Sequence, residues 1–323
     1  MTQRFASTRA PERPEAIAPG SALYSMLSDA TLLIYPLPAF LLPLLHPATS
    51  DSTARYDHAL KEDAHVGQLL KRVNDTFDMV GGVVFGRGET DDVACSIREL
   101  HRDLGGVIDG ETYHPWSRDL WTWNWAAITA AVMGVYGAIR GWPSEQFRSD
   151  CYTGLVEVGR RFGVVGMPQT MADFDRIWPQ ERDLIADPNS YAVRRVASTV
   201  WAENLNPPPR LESAPPFVWA IMSAPLRHFF RVSIRAAVPR HHRSALGLPV
   251  GRREDRYLAL HRGFWRVVPR SVTHRLGVRY FDRLTEHGRP VWRTRFSTEA
   301  LQRRRDPLSE SASPSSTSTP AEQ

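Results

Sequence analysis

A histidine and an arginine placed three residues apart give this chain its clearest sign of chemistry. His101 follows Arg98 inside the segment 93–104, where apolar residues recur at the spacing of an amphipathic helix. A neutral imidazole that a helix turns toward the interior is suited to bind iron as an axial ligand. The spacing alone favours a simpler alternative, in which His101 lies at the edge of the apolar stripe and bonds a backbone carbonyl, and Arg98 is solvated or salt-bridged.

The elements that must position these side chains are predicted to be helices. Gly81 and Gly82 are expected to end one helix, and Gly105 is expected to end the next helix, which carries His101. No segment sustains a two-residue alternation of apolar and polar residues, so the sequence predicts an all-α fold. The predicted helices span 62–80, a segment capped by Thr90 or Asp91, 118–140, 144–162, a segment that opens at Thr170, 190–204, 217–236, 254–265 and 272–287.

The predicted domain organisation is one large multi-helix domain between two disordered ends. A chain of 323 residues has room for a sizeable core. Residues 1–20 are rich in arginine, proline and alanine and are predicted to be a disordered arm, and residues 306–323 form a serine-rich disordered tail. The domain is therefore expected to span residues 21–305.

Cysteine content and the N-terminal sequence restrict the class of protein. The two cysteines exclude a disulfide framework and a cysteine-rich metal site. Because residues 1–30 lack the order of a signal peptide, a cytoplasmic protein is expected. The apolar run 31–45 is too short to span a bilayer and contains three prolines, so it is predicted to be buried, where it can line a ligand cavity. A membrane-dipping segment is the alternative.

The basic C-terminal third raises the question of an anionic partner. Nearly all of the 40 basic residues are arginine, a bias that the codon usage of a GC-rich genome explains without selection for nucleic acid. No helix-turn-helix or RNA-binding signature is present, so no nucleic-acid partner is predicted. Two alternatives remain for the basic segment: peripheral contact with an anionic membrane surface, or the simpler one of a solvated helical face.

Several short motifs, together with their order, resemble one known family. Over residues 25–205 the chain resembles the DUF2236 family, which contains the MpaB and rubber-oxygenase (latex-clearing protein) catalytic domains. The motifs are His46-Pro47, Arg72-x-x-x-Thr76 followed by Phe85-Gly86, Arg98-x-x-His101 followed by Gly106, Asp109-Gly110 and Tyr113, the Trp-rich segment 120–125, the helix opening at Ser144, and the segment 163–168.

The resemblance implies an all-α haem b oxygenase with an internal, haem-sized apolar cavity. His101 takes the place of the proximal iron ligand, and Arg98 that of the arginine beside the haem. Arg72 and Thr76 take places on the helix that faces the other side of the porphyrin, where the hydroxyl of Thr76 is suited to donate to an oxygen species. The resemblance also implies dioxygen and a hydrophobic substrate, such as an isoprenoid or lipid with a carbon–carbon double bond.

Three positions depart from the rubber oxygenases. Asp75 stands where those enzymes can carry a lysine at the distal side of the haem, and an acid there would serve as a base, hold a water or face solvent. Gly105 replaces an arginine, and Trp125 replaces a histidine. These changes argue against rubber cleavage itself. A second hypothesis is therefore a non-catalytic helical protein that binds haem or a lipid. A third hypothesis, a non-haem metal enzyme, is weaker because the sequence shows no carboxylate–histidine cluster of convincing spacing.

Overall fold

The computed structural model confirms the all-α prediction. It describes residues 15–57, 59, 61, 64–85, 90–195, 205–246, 248 and 251–295. The helices are α1 (Ala22–Leu27), α2 (Ala30–Ile34), α3 (Pro38–Leu44), α4 (Pro47–Tyr56), α5 (Val66–Phe85), α6 (Thr90–His101), α7 (Arg118–Ile139), α8 (Glu145–Arg161), α9 (Met171–Ile185), α10 (Pro216–Ala237), α11 (Arg240–Ala245), α12 (Arg252–Val267) and α13 (Arg270–Arg295).

Helix α7 is the centre of the domain. Its apolar side chains are buried on several sides, because α3, α10 and α12 all pack against it. Gly134 permits one of these close approaches, since a Cβ atom there would lie 3.2 Å from the Cβ of Ala237 on α10. The helix predicted over 118–140 therefore forms nearly as expected, and it supplies the main wall against which the other helices assemble.

The apolar run 31–45 is buried, as predicted, and it folds as short helices rather than one long one. Asp29 caps α2 by accepting a hydrogen bond from the backbone N–H of Thr31 at 3.0 Å. Pro36 follows α2, and Pro38 opens α3 as its first residue, where a missing N–H costs nothing. These caps and prolines turn the chain repeatedly, so that the run wraps around α7 instead of crossing the domain.

Helix α5 continues past the two glycines that were expected to end it, so this predicted boundary is wrong. A Cβ atom at Gly81 would lie 2.8 Å from the ring of Phe281 on α13. The Phe281 ring stacks on Phe85 with 4.2 Å between the ring centroids. A glycine costs a helix interior only about 1 kcal/mol, and the close packing of these two rings offsets that cost.

One small β-hairpin interrupts the helical fold. The strands β1 (Gly106–Ile108) and β2 (Glu111–Tyr113) pair antiparallel with Gly106 opposite Tyr113. Asp109 and Gly110 both have positive φ angles, 52° and 86°, as a two-residue type I′ turn requires. The Tyr113 hydroxyl donates to Asp51 on α4 at 2.7 Å, which joins the hairpin to that helix.

The two predicted disordered ends lie largely outside the described residues. Of residues 1–20, the last six are described, and Glu15–Ile17 forms a 3-10 turn that buries Ile17 against α8. Residues 306–323 lie outside the described part of the chain, as does most of the helix predicted over 190–204, of which 191–195 is helical. Within the described residues, no helix has the length and apolar character needed to cross a bilayer.

A buried polar cluster, built around one ion pair, joins the beginning of the described chain to its later helices. Asp29 Oδ2 lies 3.2 Å from Arg140 Nε, and the two side chains are only 4% and 2% exposed. Thr273 on α13 donates its hydroxyl to the same carboxylate oxygen at 2.9 Å. The Arg140 guanidinium also donates to the backbone carbonyls of Trp265 and Val268 at the end of α12. One polar cluster therefore ties α2, α7, α12 and α13 together.

Candidate functional site

His101 is the last residue of α6, and its ring is held by a backbone contact. The Nδ1 atom lies 2.7 Å from the carbonyl oxygen of Ile97, one turn earlier. A carbonyl only accepts hydrogen bonds, so Nδ1 carries the proton and the Nε2 lone pair is left for a ligand. The edge of the ring also packs on Trp121 of α7, with 5.6 Å between the centroids.

The surroundings of His101 favour its neutral form. Burial lowers the pKa of the imidazole, the hydrogen bond to Ile97 opposes that shift, and the positive charge of Arg72 adds to it. A lowered pKa keeps the ring neutral at pH 7, the form in which it binds a metal. The carbonyl contact is the one that helical spacing alone predicted, and it is compatible with ligation because it occupies the other nitrogen.

Arg72 and Thr76 form a polar pair on the neighbouring helix α5. The Arg72 Nη1 atom donates to the Thr76 hydroxyl, which in turn donates to the Arg72 carbonyl at 3.1 Å. Asp57, after α4, accepts from Arg72 Nε at 2.7 Å and fixes the direction of the guanidinium. Helix α5 packs against α6, so the structure places Arg72 and Thr76 on a helix adjacent to the one that carries His101.

Arg98 and Asp75 occupy different positions. The Arg98 guanidinium lies over the ring of Trp116, 5.5 Å from its centroid, and against Gly163, where a Cβ atom would come within 3.1 Å of it. The Asp75 carboxylate accepts from Lys71 at 2.5 Å in a pair whose lysine is well exposed. The roles predicted for these two residues at a haem remain predictions.

An apolar cavity begins at Thr76. The space that it offers to molecules the size of water is about 60 Å³, which is smaller than an ordinary small-molecule site, and it is partly open to solvent. Thr76 and Tyr35 carry the polar side-chain atoms among its lining residues, whereas His101, Arg72 and Arg98 do not line it. The lining residues are Leu27, Leu32, Tyr35, Pro36, Ala39, Phe40, Thr76, Phe77, Gly81, Phe85, Ile128, Ala131, Val132, Val135 and Phe281.

The predicted burial of the run 31–45 is confirmed, and part of the run lines this apolar space. Leu32, Tyr35, Pro36, Ala39 and Phe40 all belong to this run and contribute one wall. The opposite wall comes from α5 and α7, and Phe281 of α13 closes one side. The position of the cavity makes Thr76 the point at which the polar pair on α5 meets the apolar space.

A chain of hydrogen bonds runs outward from the cavity wall at Tyr35. The Trp265 indole donates to the Tyr35 hydroxyl at 2.7 Å, and that hydroxyl lies 2.6 Å from His261 Nδ1. His261 Nε2 lies 2.8 Å from His228 Nε2. Burial raises the pKa of Tyr35 to about 12, against the opposing bond from Trp265, so the phenol keeps its proton. Each bond can be satisfied with both imidazoles neutral.

The stability of the protein is expected to fall as the pH drops below 6.5 because of this histidine pair. Burial lowers the pKa of His228, helped by Arg231, and burial lowers that of His261, helped by His228. The folded state then binds fewer protons than the unfolded state, so protonation favours unfolding. The free energy of unfolding, measured by urea titration from pH 7.5 to pH 5, should decrease.

The variant His228→Gln serves as the control for this prediction. Glutamine can still hydrogen-bond His261 but does not titrate in this range. Its decrease in unfolding free energy between pH 7.5 and pH 5 should be smaller than that of the wild type. Equal pH dependence in the two proteins would contradict the assignment to this pair.

Sequence analysis did not find Asp57, Tyr35, His228 or His261. Tyr35 lies inside an apolar run, and its hydrogen-bond partner His261 is 226 positions away in the sequence. His228 and His261 lie 33 positions apart on two different helices, so no local spacing links them. Asp57 precedes the helix that contains Arg72, which is a weak sequence signal for a salt bridge. Only the fold shows that the two side chains meet.

The fold and this region define an all-α domain in which a half-buried histidine and an arginine–threonine pair lie on two adjacent helices. The chain belongs to the family described as ER-bound oxygenase mpaB/B'/Rubber oxygenase, catalytic domain, whose family model matches residues 24–270. This match confirms the resemblance seen over 25–205 and extends it through α10, α11 and α12. No curated protein and no solved structure matches the chain. Family membership indicates an oxygenase-type function.

Proposed function

We propose that this protein is a haem b-dependent oxygenase that acts on a hydrophobic, isoprenoid or lipid-like substrate. The observation that carries the proposal is His101, whose Nδ1 is bound to the Ile97 carbonyl and whose Nε2 is left as a neutral ligand atom. Membership in an oxygenase family supports the reaction class. The apolar lining of the space beside Thr76 supports the substrate class, since it offers little hydrogen bonding to a polar molecule, although the space must widen to admit one.

The types of these side chains suit haem, but His101, Arg72 and Arg98 do not line the apolar space described above. His101 would hold the iron, and Arg72 and Arg98 carry the guanidinium groups that pair with propionates through charge-assisted hydrogen bonds. When bound, haem supplies the activation of dioxygen. The Asp57 carboxylate keeps Arg72 oriented. The Thr76 hydroxyl is the donor available where the cavity meets α5.

Two measurements on one preparation test the proposal. The protein is purified with haem supplied, and its absorption spectrum and iron content are recorded. Dioxygen consumption is then followed with a panel of unsaturated isoprenoids and lipids, each paired with its saturated analogue. We expect a Soret band, near-stoichiometric iron and sustained uptake with unsaturated compounds alone. A colourless, iron-free protein would refute haem dependence.

A non-catalytic haem- or lipid-binding protein is the second candidate. The pairing of Asp75 with Lys71 favours it, because the carboxylate is already held in a salt bridge. The absence of an arginine at Gly105 points the same way. Under this alternative the coloured protein would bind the same lipids, but product would not exceed one equivalent per iron.

We further propose that the domain contacts anionic membranes through α12. Leu260, Phe264 and Val267 are exposed and share one face of this helix, and the exposed Arg253 and Arg256 lie on the same face. Apolar side chains flanked by arginines suit the headgroup region of a bilayer, where each basic residue contributes about 1 kcal/mol. A membrane location would also place the cavity near a lipid-like substrate.

Substituting Phe264 with glutamate is expected to weaken vesicle binding by about tenfold or more, because it replaces an inserted ring with a repelled charge. Co-sedimentation with vesicles of phosphatidylserine and phosphatidylcholine measures the effect. Leu184→Glu is the matched control, since Leu184 is even more exposed but lies on α9. Equal loss in both variants, or no binding by the wild type, would rule out this surface.

A further inference from the structure

A second group of ligand-type side chains lies between α9 and α11. Asp183 Oδ1 is 3.0 Å from His241 Nε2 and 3.1 Å from His242 Nε2. The three ligand atoms all lie within 4.8 Å of one another, and no other such group is found among the described residues. We propose that Asp183, His241 and His242 bind a divalent transition-metal ion, with zinc as the best-suited ion. This site is separate from the cavity and from His101.

Hydrogen bonding alone does not account for the contacts of Asp183 Oδ1. Besides the two imidazole nitrogens, Arg182 places Nε at 2.9 Å and Nη2 at 2.8 Å from the same oxygen. A carboxylate oxygen offers about two lone-pair directions, so it cannot accept from four nitrogen donors at once. Arg182 already occupies those directions. The two Nε2 atoms are therefore directed at one point without enough acceptors to explain it.

The spacing of the three atoms suits a tetrahedral ion. Zinc binds imidazole nitrogen and carboxylate oxygen at about 2.0–2.2 Å, which places neighbouring ligand atoms about 3.4 Å apart. The observed distances of 3.0 and 3.1 Å need to widen by only a few tenths of an ångström. Two imidazoles and one carboxylate are a ligand set that zinc commonly takes, with water in the remaining position.

The burial of the three side chains gives the site a fixed wall and an open side. The His242 side chain is only 6% exposed, so packing holds its ring in place. The side chains of His241 and Asp183 are 57% and 47% exposed, which leaves a path for the ion and its water from solvent. A bound ion would join the last turn of α9 to the first turn of α11, and Arg182 is the cation that competes with it.

Titration of the full-length, tag-free and chelator-treated protein with Zn²⁺ tests this site. Isothermal calorimetry should show one equivalent bound by the wild type. His241→Ala and Asp183→Asn should each weaken binding by at least about tenfold. His114→Ala removes an exposed histidine elsewhere and should bind like the wild type. Circular dichroism checks that each variant is folded.

Two further variants sharpen the result. Arg182→Ala removes the competing guanidinium and should bind Zn²⁺ at least as tightly as the wild type. His101→Ala should leave Zn²⁺ binding unchanged, which keeps this site distinct from the proposed haem ligand. The proposal is overturned if the wild type binds no Zn²⁺, or if the His241 and Asp183 variants bind it as well as the wild type does.

Discussion

Replacing His101 with alanine is expected to abolish the Soret band of the haem-loaded protein. His101 is the side chain whose free Nε2 atom is neutral and available to the iron, because the Ile97 carbonyl occupies Nδ1. Loss of residues that merely orient a metal ligand costs about 10- to 100-fold in affinity, and loss of the ligand itself should cost at least as much. Haem titration followed by absorption spectroscopy measures the change.

External imidazole provides a test that separates ligation from general damage. The alanine variant loses an imidazole-sized volume beside Trp121, which added imidazole can refill. Partial recovery of the spectrum is expected if His101 is the ligand. His114→Ala, on the surface, should retain the wild-type spectrum. If His101→Ala binds haem with unchanged affinity and spectrum, a different residue holds the iron and the proposed role of His101 fails.

Replacing Asp29 with alanine is expected to destabilise the fold by about 3–5 kcal/mol. The substitution leaves Arg140 buried without its counter-charge, and removing one partner of a buried pair has a cost of this size. It also removes the acceptor for Thr31 and Thr273. Urea denaturation, with the midpoint and slope fitted together, gives the free energy of unfolding.

Asp175→Ala is the matched control for the buried pair. Asp175 accepts two hydrogen bonds from Arg148 at 2.7 Å, but its side chain is 47% exposed. Solvent screens such a pair, so its loss should cost no more than about 1 kcal/mol. Similar losses for Asp29→Ala and Asp175→Ala would contradict the importance assigned to burial.

Local sequence patterns predicted most of the helices because apolar spacing and caps act over a few residues. Ser144 and Thr170 cap α8 and α9 through their own hydroxyls, as the sequence indicated. The end of α5 was missed because its cause lies on α13, where the Phe281 ring needs the space that Gly81 leaves. The hairpin was missed because its strands are only three residues long.

The candidate site could be predicted only in part. Helical spacing predicted that His101 lies at the edge of the apolar stripe and bonds a backbone carbonyl. The family resemblance added Arg72 and Thr76. The contact between Arg72 and Asp57 and the approach of Asp183 to His241 arise from tertiary packing. Pairs of this kind produce no periodic pattern in the sequence, because the two partners lie on different elements and meet only in the folded protein.

The apolar cavity is closed by residues from both ends of the described chain. Its walls begin at Leu27 and end at Phe281, and Thr273 reaches back across 244 positions to Asp29. During synthesis on the ribosome, the N-terminal helices emerge long before α13 exists to cover them. This apolar space is therefore completed only when nearly all of the described chain has been translated.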